Sequence, residues 1–238
     1  MANAADIVTG LVGHWKFNET SGTTAEDSSG SGNTGTLSSP APLWVSGKLS
    51  NSLSFNGSNN YVTVLNTASL NFGTGDFSIA CWFKVNALPN AWKGLVSKGA
   101  SGSPGYAMSI SLDNKLTADI QGVLGSNQHA NCAGSTITAN AWQHGVIVFK
   151  RNDQIYVYRN GSPVCASSYY TGNDSSVTRA TNVFLGSHDS TQWYLNGYLD
   201  DVRIYSRALT AEDVRILYNG GLAMTGVTSI SGVSSITF

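Results

Sequence analysis

Hydrophobic and polar residues alternate with a period of two along much of this chain, which is the pattern of half-buried β-strands. The clearest case is Phe77–Val85, where every second residue is apolar or cysteine, and this run predicts a central core strand. Trp82 falls on the second face of that strand, where we expect it to pack on the sheet. Shorter runs predict a first strand over 11–17, hairpins over 53–64, 106–120 and 142–159, and strands over 163–166 and 183–186.

The best-specified stretch is 196–222, which begins with a strand. Over 198–205 the alternation defines two faces. One face carries Tyr198, Asp200, Val202 and Ile204, and the other carries Leu199, Asp201, Arg203 and Tyr205. Because Asp200 shares a face with two aliphatic residues, it needs a hydrogen-bond partner or a metal ion, since an isolated buried carboxylate is very costly.

A short helix follows this strand. Thr210 offers a hydroxyl N-cap and Asp213 stands at the third helical position, so the pair predicts a capping box. Leu209 and Val214 predict a hydrophobic staple across the same helix start. The paired glycines that follow can adopt the left-handed conformation that commonly ends a helix.

These segments carry a family resemblance. The stretch 197–218 has the form G-x-L-D-D-V-R-I-Y-x-R-A-L-x-x-x-[DE]-V-x-x-L-Y, and upstream lie LVGHWKFNETSGTTAEDSSGSGNTGTL, SLSFNGSNNYVTV and FSIACWFKV, in that order. The set resembles the LamG-like domains, which are concanavalin A-like jelly rolls. The resemblance covers 11–222 and implies an all-β sandwich of two antiparallel sheets with one short C-terminal helix. It leaves an N-terminal arm, 1–10, and a C-terminal tail, 223–238.

Composition and charge argue against some classes of partner but do not identify the function. The formal net charge is -1, so neither nucleic acid nor an anionic membrane is indicated as a partner. Only 11% of residues are charged, which suits a secreted or virion-surface β protein. No apolar run approaches the roughly 20 residues that span a bilayer. The first ten residues lack the features of a signal peptide, so trimming of a longer chain or release in a phage particle would explain an extracellular location.

Polar oxygens concentrate over 27–33, between Asp27 and Asn33. Calcium takes six to eight such oxygens, and structural calcium is common in this neighbourhood of the related domains. The resemblance therefore implies one structural calcium ion bound by Asp27, Asn33 and Asp200. The alternative is an Asx-rich turn whose side chains cap their own backbone. Asn60 replaces an acidic residue usual in the family, which weakens a cation site built on its loop.

The loop 187–194 is the main candidate for ligand binding. An aromatic side chain beside hydrogen-bonding groups suits a sugar, whose apolar face stacks while its hydroxyl groups pair. The alternative is that the tryptophan only covers the edge of the core. The candidate residues are His188, Asp189, Gln192, Trp193 and Tyr194, and Tyr169 and Tyr170 form a weaker candidate.

Catalytic patterns are missing from the sequence. The resemblance implies that a glycosidase of this fold would carry E-x-D-x-E or E-x-D-x-x-E on a strand, with paired carboxylates about 5–5.5 Å apart. The glutamates are Glu19, Glu26 and Glu212, and none belongs to such a motif. The histidines show no zinc spacing, and His14 is expected to pack in its strand. The sequence predicts a protein that is not an enzyme.

The cysteines are expected to be free thiols. Cys81 falls on the core face of its strand and behaves as a small apolar residue. Cys132 and Cys165 border neighbouring β segments and could pair in an oxidising compartment. The odd number of cysteines and the missing export signal favour unpaired thiols.

The tail repeats the pattern G-V-[ST]-S-I-[ST], beginning at Gly226 and again at Gly232. It is uncharged and β-prone, and it predicts a strand that pairs with a partner protein or with other copies of the chain, hence a homo-oligomer. Its assembly residues are Val227, Ile230, Val233, Ile236 and Phe238. The leading function is a non-catalytic binding or adhesion module, for a surface glycan, on a virion or cell surface. The alternative is a structural virion component that contacts only other virion or cell-surface proteins.

Overall fold

The computed structural model describes residues 7–99, 105–121, 127–151, 153–166 and 176–220, with the backbone alone for 127–129 and 131–133. Most of the predicted arm and the whole predicted tail, 223–238, lie outside the described residues. The assembly role of the tail therefore stays a prediction, and Tyr169 and Tyr170 also lie outside.

The described chain is built of strands, with one α-helix near its end and a single 3-10 turn at Ala68–Leu70. The strands are β1 (Leu11–Trp15), β2 (Thr24–Ala25), β3 (Gly35–Leu37), β4 (Leu43–Ser46), β5 (Asn51–Asn56), β6 (Val62–Val64), β7 (Phe77–Val85), β8 (Lys93–Lys98), β9 (Gly105–Ile110), β10 (Lys115–Gln121), β11 (Asn127–Thr136), β12 (Gln143–Phe149), β13 (Ile155–Arg159), β14 (Ser162–Ala166), β15 (Val183–Leu185) and β16 (Asn196–Tyr205), and the helix is α1 (Ala211–Tyr218).

The strands form two antiparallel sheets. Sheet 1 has the order β14-β13-β12-β7-β16-β5-β4, and β1 also pairs with β16. Sheet 2 has the order β11-β10-β9-β8-β15-β6-β3-β2. This arrangement confirms the predicted all-β jelly-roll sandwich with one short C-terminal helix.

The core lies between the sheets, and β7 runs through the middle of sheet 1. Its alternate residues from Phe77 onward are buried in that core, as the sequence predicts. Phe77 stacks on Phe149 of the neighbouring strand, with ring centroids 4.3 Å apart. Full burial of one such side chain contributes roughly 1.5–3 kcal/mol to the free energy of unfolding. The buried side chains of this strand together therefore stabilise the fold substantially.

Helix α1 packs on the outer face of sheet 1. The capping box is confirmed: the Asp213 N–H donates to Thr210 Oγ1 at 3.1 Å, and the Thr210 N–H donates to Asp213 Oδ2 at 2.8 Å. Val214 is buried with Leu209, which confirms the predicted staple. Tyr218 stacks on Trp82 at 5.5 Å, so Trp82 serves packing on this outer face and not sugar binding.

The predicted hairpin over 53–64 is wrong. β5 belongs to sheet 1 and β6 to sheet 2, so the chain crosses from one sheet to the other between them. The Asn56-Gly57 turn does form, with Gly57 at φ +77°. Asn60 then accepts a hydrogen bond from Asn56 N and donates to Pro40 O, contacts that hold the crossing segment.

The predicted faces of β16 are also wrong in part. The residues of β16 that reach the inter-sheet core are Leu199, Val202 and Ile204. The pairing with β7 shifts register between Asp200 and Arg203, and Asp201 adopts a left-handed φ of +48°. A β-bulge of this kind inserts one extra residue, which moves the following side chains to the opposite face. Asp200 therefore does not share the core face with the two aliphatic residues that follow it.

The expectation of free thiols is wrong for Cys165, which is disulfide-bonded. Cys81 is free and buried, as expected, and burial raises the pKa of its thiol. The side chain of Cys132 lies outside the described residues. Because disulfides persist in oxidising compartments, the bond at Cys165 favours an extracellular protein.

Candidate functional site

The loop 187–194 connects β15 to β16 and is anchored on β8. The Gly94 N–H donates to Trp193 O at 2.8 Å, and the Gly186 N–H donates to Leu95 O at 2.9 Å. A Cβ atom at Gly94 would lie 2.2 Å from the carbonyl carbon of Ser187, so glycine is required where the loop crosses β8. The loop is therefore held in one position by the strand beneath it.

The Asp189 carboxylate holds the loop conformation through hydrogen bonds within the loop. Its Oδ1 atom accepts from Thr191 N, Thr191 Oγ1 and Gln192 N, and its Oδ2 atom accepts from Gln192 Nε2 at 3.1 Å. Burial raises the pKa of this carboxyl, but the hydrogen bonds from Thr191 and Gln192 outweigh burial and hold the pKa below its usual value. Asp189 and Gln192 thus order the loop in addition to any contact with a ligand.

Trp193 belongs to a group of stacked rings. Its centroid lies 5.5 Å from that of Trp92 at an interplanar angle of 23°, and 4.3 Å from that of His188. All three side chains are half-buried. His188 Nδ1 lies 3.3 Å from Ser97 Oγ, and burial lowers the pKa of its imidazole, so His188 is neutral at pH 7.

A second aromatic group lies at the end of the loop. Tyr194 stacks on Tyr61 with centroids 6.2 Å apart, and Tyr61 meets Phe184 edge-on at 5.8 Å. The Tyr194 hydroxyl donates to Ser190 O at 2.6 Å, which fixes the ring on the loop. These three rings are half-buried and keep part of their surface in solvent.

Two cavities flank the loop. The first cavity has a volume of about 410 Å³ and is lined by Phe184, Asn182, Thr181, Asp189, Ser190 and Thr191, together with Gly99 and Ala180. The second cavity, of about 400 Å³, lies where the loop joins β16 and includes Lys93 and Asn196. Both volumes fall in the range typical of sites for small ligands.

All five predicted ligand residues lie on this loop, and Asp189 lines the first cavity. His188, Gln192, Trp193 and Tyr194 are not among the described residues that line either cavity, so the predicted site stays a prediction. Sequence reasoning missed Trp92, Tyr61 and Phe184, which come from three other segments. The sequence placed Trp92 in a loop, but no local pattern shows that two loops 100 residues apart stack their tryptophans on each other.

Residues 56–215 match the family model described as the concanavalin A-like lectin/glucanases superfamily. The chain belongs to this superfamily. A zebrafish (Danio rerio) protein, adhesion G-protein coupled receptor V1, is 29% identical over 162 residues, covering 66% of this chain and 2% of that receptor. The chain thus spans a very small part of the length of the curated relative.

Solved structures share the fold. The binding domain of Paraclostridial Mosquitocidal Protein 1 has a TM-score of 0.74 and 20% identity, over 91% of this chain and 53% of that chain. Domain 4 of AbnA, an extracellular GH43 arabinanase from Geobacillus stearothermophilus solved with arabinotriose, has a TM-score of 0.67 and 20% identity, over 87% and 98%. The binding domain of Botulinum Neurotoxin DC in complex with SialylT has a TM-score of 0.69 and 15% identity, over 90% and 52%.

The predicted calcium ligands of this superfamily member have protein partners. Asp27 accepts four hydrogen bonds, from the backbone of His14, Ser29 and Asn33 and from the Ser29 hydroxyl. Asn33 donates to Val12 O and accepts from a threonine hydroxyl. Within the described ranges no three His, Cys, Asp or Glu residues form a group able to hold a metal ion, and no hydrogen bond joins Asp200 to either residue. These contacts match the Asx-rich turn.

Bound calcium therefore stays a prediction. If an ion fixes the N-terminal loop on the last strand, its removal with EDTA should lower the melting temperature, because a ligand that binds only the folded state stabilises it. Thermal unfolding with EDTA, and with EDTA plus excess calcium as the control, tests this. An unchanged melting temperature would contradict the prediction.

Buried carboxylates near the bulge do not form an active site. Asp201 Oδ1 lies 2.7 Å from His14 Nε2, a pairing seen in acid–base catalysis, but both side chains are buried and neither lines the two cavities. Asp200 has a pKa raised to about 6, mainly by burial, yet it is 0% exposed. A substrate cannot reach these buried groups.

No helix in the described part of the chain has the length and apolar character to cross a bilayer.

Proposed function

We propose that this protein is a non-catalytic glycan-binding module of an extracellular or surface-displayed protein, and that the loop 187–194 carries its site. The observation that supports this most strongly is the set of half-buried rings on and around the loop, Trp92, Trp193, Tyr61 and Tyr194. Tyr61 links this set to the first cavity, because it contacts Phe184 in the cavity lining. Partly exposed aromatic rings offer stacking surface to the C–H face of a sugar.

The first cavity supplies the polar part of such a site. Its lining includes Asn182, Thr181, Asp189 and Thr191. Amide, hydroxyl and carboxylate groups pair with sugar hydroxyl groups as donors and acceptors. The cavity also holds an apolar surface at Phe184, so it combines the two kinds of contact that a sugar ring requires.

The comparisons support a binding function at the level of analogy. The matched structures include the binding domains of a mosquitocidal protein and of a botulinum neurotoxin and a domain solved with arabinotriose, and the curated relative is an adhesion receptor. The disulfide at Cys165 supports an oxidising, extracellular location. Display on a virion and assembly through the C-terminal tail remain predictions from the sequence alone.

Trp193→Ala should abolish glycan binding while the protein stays folded. The ring lies on a surface loop and outside the inter-sheet core cluster. Its removal should therefore eliminate stacking on a ligand and lower the free energy of unfolding only slightly. Trp142→Ala is the matched control, because Trp142 is also half-buried but packs with Lys84 and Tyr198 on sheet 1.

Glycan binding and thermal unfolding of both variants decide the matter. Loss of binding in the Trp193 variant alone, with a cooperative unfolding transition retained, supports the proposed site. A Trp193 variant that binds as well as wild type would place the glycan elsewhere. Unfolding of that variant would show that Trp193 only covers the core, and Tyr61→Ala would then serve as the second probe of the ring cluster.

A further inference from the structure

The second cavity contains a lysine side chain that has no hydrogen bond or ion pair with the described residues. Among the described residues that line this cavity, Lys93 is the charged one, and the others supply amide, hydroxyl and apolar groups. We infer that this cavity binds the carboxylate group of an acidic saccharide, such as a uronic acid. The choice of a saccharide as the ligand rests on the proposed glycan-binding function. The site itself does not, because this cavity is separate from the one that Asp189 lines.

Lys93 begins β8 and is half-buried. Burial lowers the pKa of its ammonium group, and no hydrogen bond or ion pair within the described part of the chain compensates it. A partly desolvated charge without a counter-ion is unfavourable, so an anion entering the cavity would restore the lost interaction. The lysine thus selects for negative charge.

Two residues with neutral donor groups, Asn196 and Ser58, also line this cavity. Asn196 Oδ1 accepts from Asn86 Nδ2 at 2.8 Å, which leaves the Asn196 Nδ2 group without an acceptor in the described residues. The Ser58 hydroxyl likewise has no hydrogen-bond partner there. The lining thus includes a lysine, an amide and a hydroxyl side chain, and an ionised carboxylate is a pure acceptor, so the chemistry is complementary.

The remaining lining favours a sugar over a bare carboxylate. Leu88 and Pro89 form an apolar wall, and Leu88 is 43% exposed. Apolar side chains and several donors in one lining match a pyranose ring, which has a C–H face and a rim of hydroxyl groups. The volume of about 400 Å³ leaves room for a ring in addition to its carboxylate.

The cavity is formed by a rigid frame. Gly57 has φ +77°, and a Cβ atom there would lie 2.8 Å from Asn196 Cβ, so the turn after β5 packs closely on the start of β16. The Asn86 N–H donates to Asn196 O at 3.2 Å. The backbone at Asn196 is therefore held in place before a ligand arrives, which limits the ordering entropy that binding costs there.

The test is titration of the full chain with glucuronate, followed by NMR or calorimetry, with its methyl ester and acetate as comparison ligands. We expect saturable binding of glucuronate and at least about tenfold weaker binding of the uncharged ester and of acetate. Lys93→Gln should weaken glucuronate binding by about tenfold or more, and Lys93→Arg should retain it. Lys84→Gln is the control, since it removes the same charge from a lysine that packs on Tyr198.

The outcomes separate this inference from the proposed function. Trp193→Ala should leave glucuronate binding intact, because Trp193 does not line the second cavity. No saturable binding of glucuronate, equal binding of the methyl ester, or equal loss in the Lys84 and Lys93 variants would overturn the carboxylate site. Acetate binding as strong as that of glucuronate would overturn the saccharide class. Neither result would bear on glycan binding at Trp193.

Discussion

Replacing Asp201 by asparagine should destabilise the protein by about 3–5 kcal/mol, the usual cost of removing one partner from a buried ion pair. Asp201 accepts from His14 Nε2 at 2.7 Å and from Arg203 Nε and Nη2 at 3.1–3.2 Å, and it is 5% exposed. Asparagine is a suitable substitute because it tolerates the left-handed φ of +48° at this position. The variant therefore removes the charge and leaves the bulge conformation.

Denaturant unfolding at pH 7 measures this loss. Glu212→Gln is the control, since Glu212 pairs with Arg215 on the exposed surface of α1, where such pairs contribute about 0–1 kcal/mol. A loss for Asp201→Asn no larger than that of the control would contradict the account of a buried network at the bulge.

The same network has a pH signature. Burial raises the pKa of Asp201, but the hydrogen bond from His14 and the charge of Arg203 outweigh it and hold the pKa below its ordinary 3.8. A depressed carboxyl pKa stabilises the folded state above the unfolded pKa, and this stabilisation is lost as pH falls through the folded pKa. Wild type should therefore lose stability in acid below about pH 4, and Asp201→Asn should lose less.

Replacing the neighbouring Asp200 by asparagine should have the opposite effect and stabilise the protein at pH 7 by about 1–2 kcal/mol. Asp200 Oδ2 accepts from the backbone N–H groups of Lys48 and Leu49 at 2.7 Å, but Oδ1 is buried with no hydrogen-bond partner among the described residues. Burial raises the pKa to about 6, so ionisation at pH 7 works against folding. Asparagine keeps an oxygen that accepts the two backbone hydrogen bonds and removes the buried charge. The unpaired side-chain NH₂ group of asparagine offsets part of the resulting gain in stability.

The sign of the pH effect separates Asp200 from Asp201. Because the folded state holds the Asp200 proton more tightly than the unfolded state does, wild-type stability should fall as pH rises from 3.8 to about 6. Asp200→Asn should remove that fall. Urea unfolding at pH 4, 5, 6 and 7 measures it, and a variant less stable than wild type at pH 7 would contradict the account.

Local patterns were sufficient for much of the fold. The alternation of Phe77–Val85 identified the central strand, because a strand buried on its core face must carry an apolar residue at every second position. The helix start at Thr210 was equally well determined, since the capping residues and the staple all lie within six residues of one another. The turn at Asn160-Gly161 forms with both residues at positive φ, as the pair predicts.

Long-range features were not predictable. A strict period of two cannot show the bulge at Asp200–Asp201, because a bulge adds one residue without a composition signal. The Asn56-Gly57 turn signal is the same for a hairpin and for a crossing between sheets, so it could not assign β5 and β6 to different sheets. The loop 187–194 was identifiable from its own residues, but Trp92 and Tyr61, which complete the ring cluster, reach it only through the tertiary fold.

A glycan array probed with the full chain tests the central claim most directly. The account predicts specific binding to at least one class of glycan at a level that free glycan of the same class competes away, and loss of that signal in Trp193→Ala but not in Trp142→Ala. A folded wild-type protein that binds no glycan on a broad array would contradict the proposal.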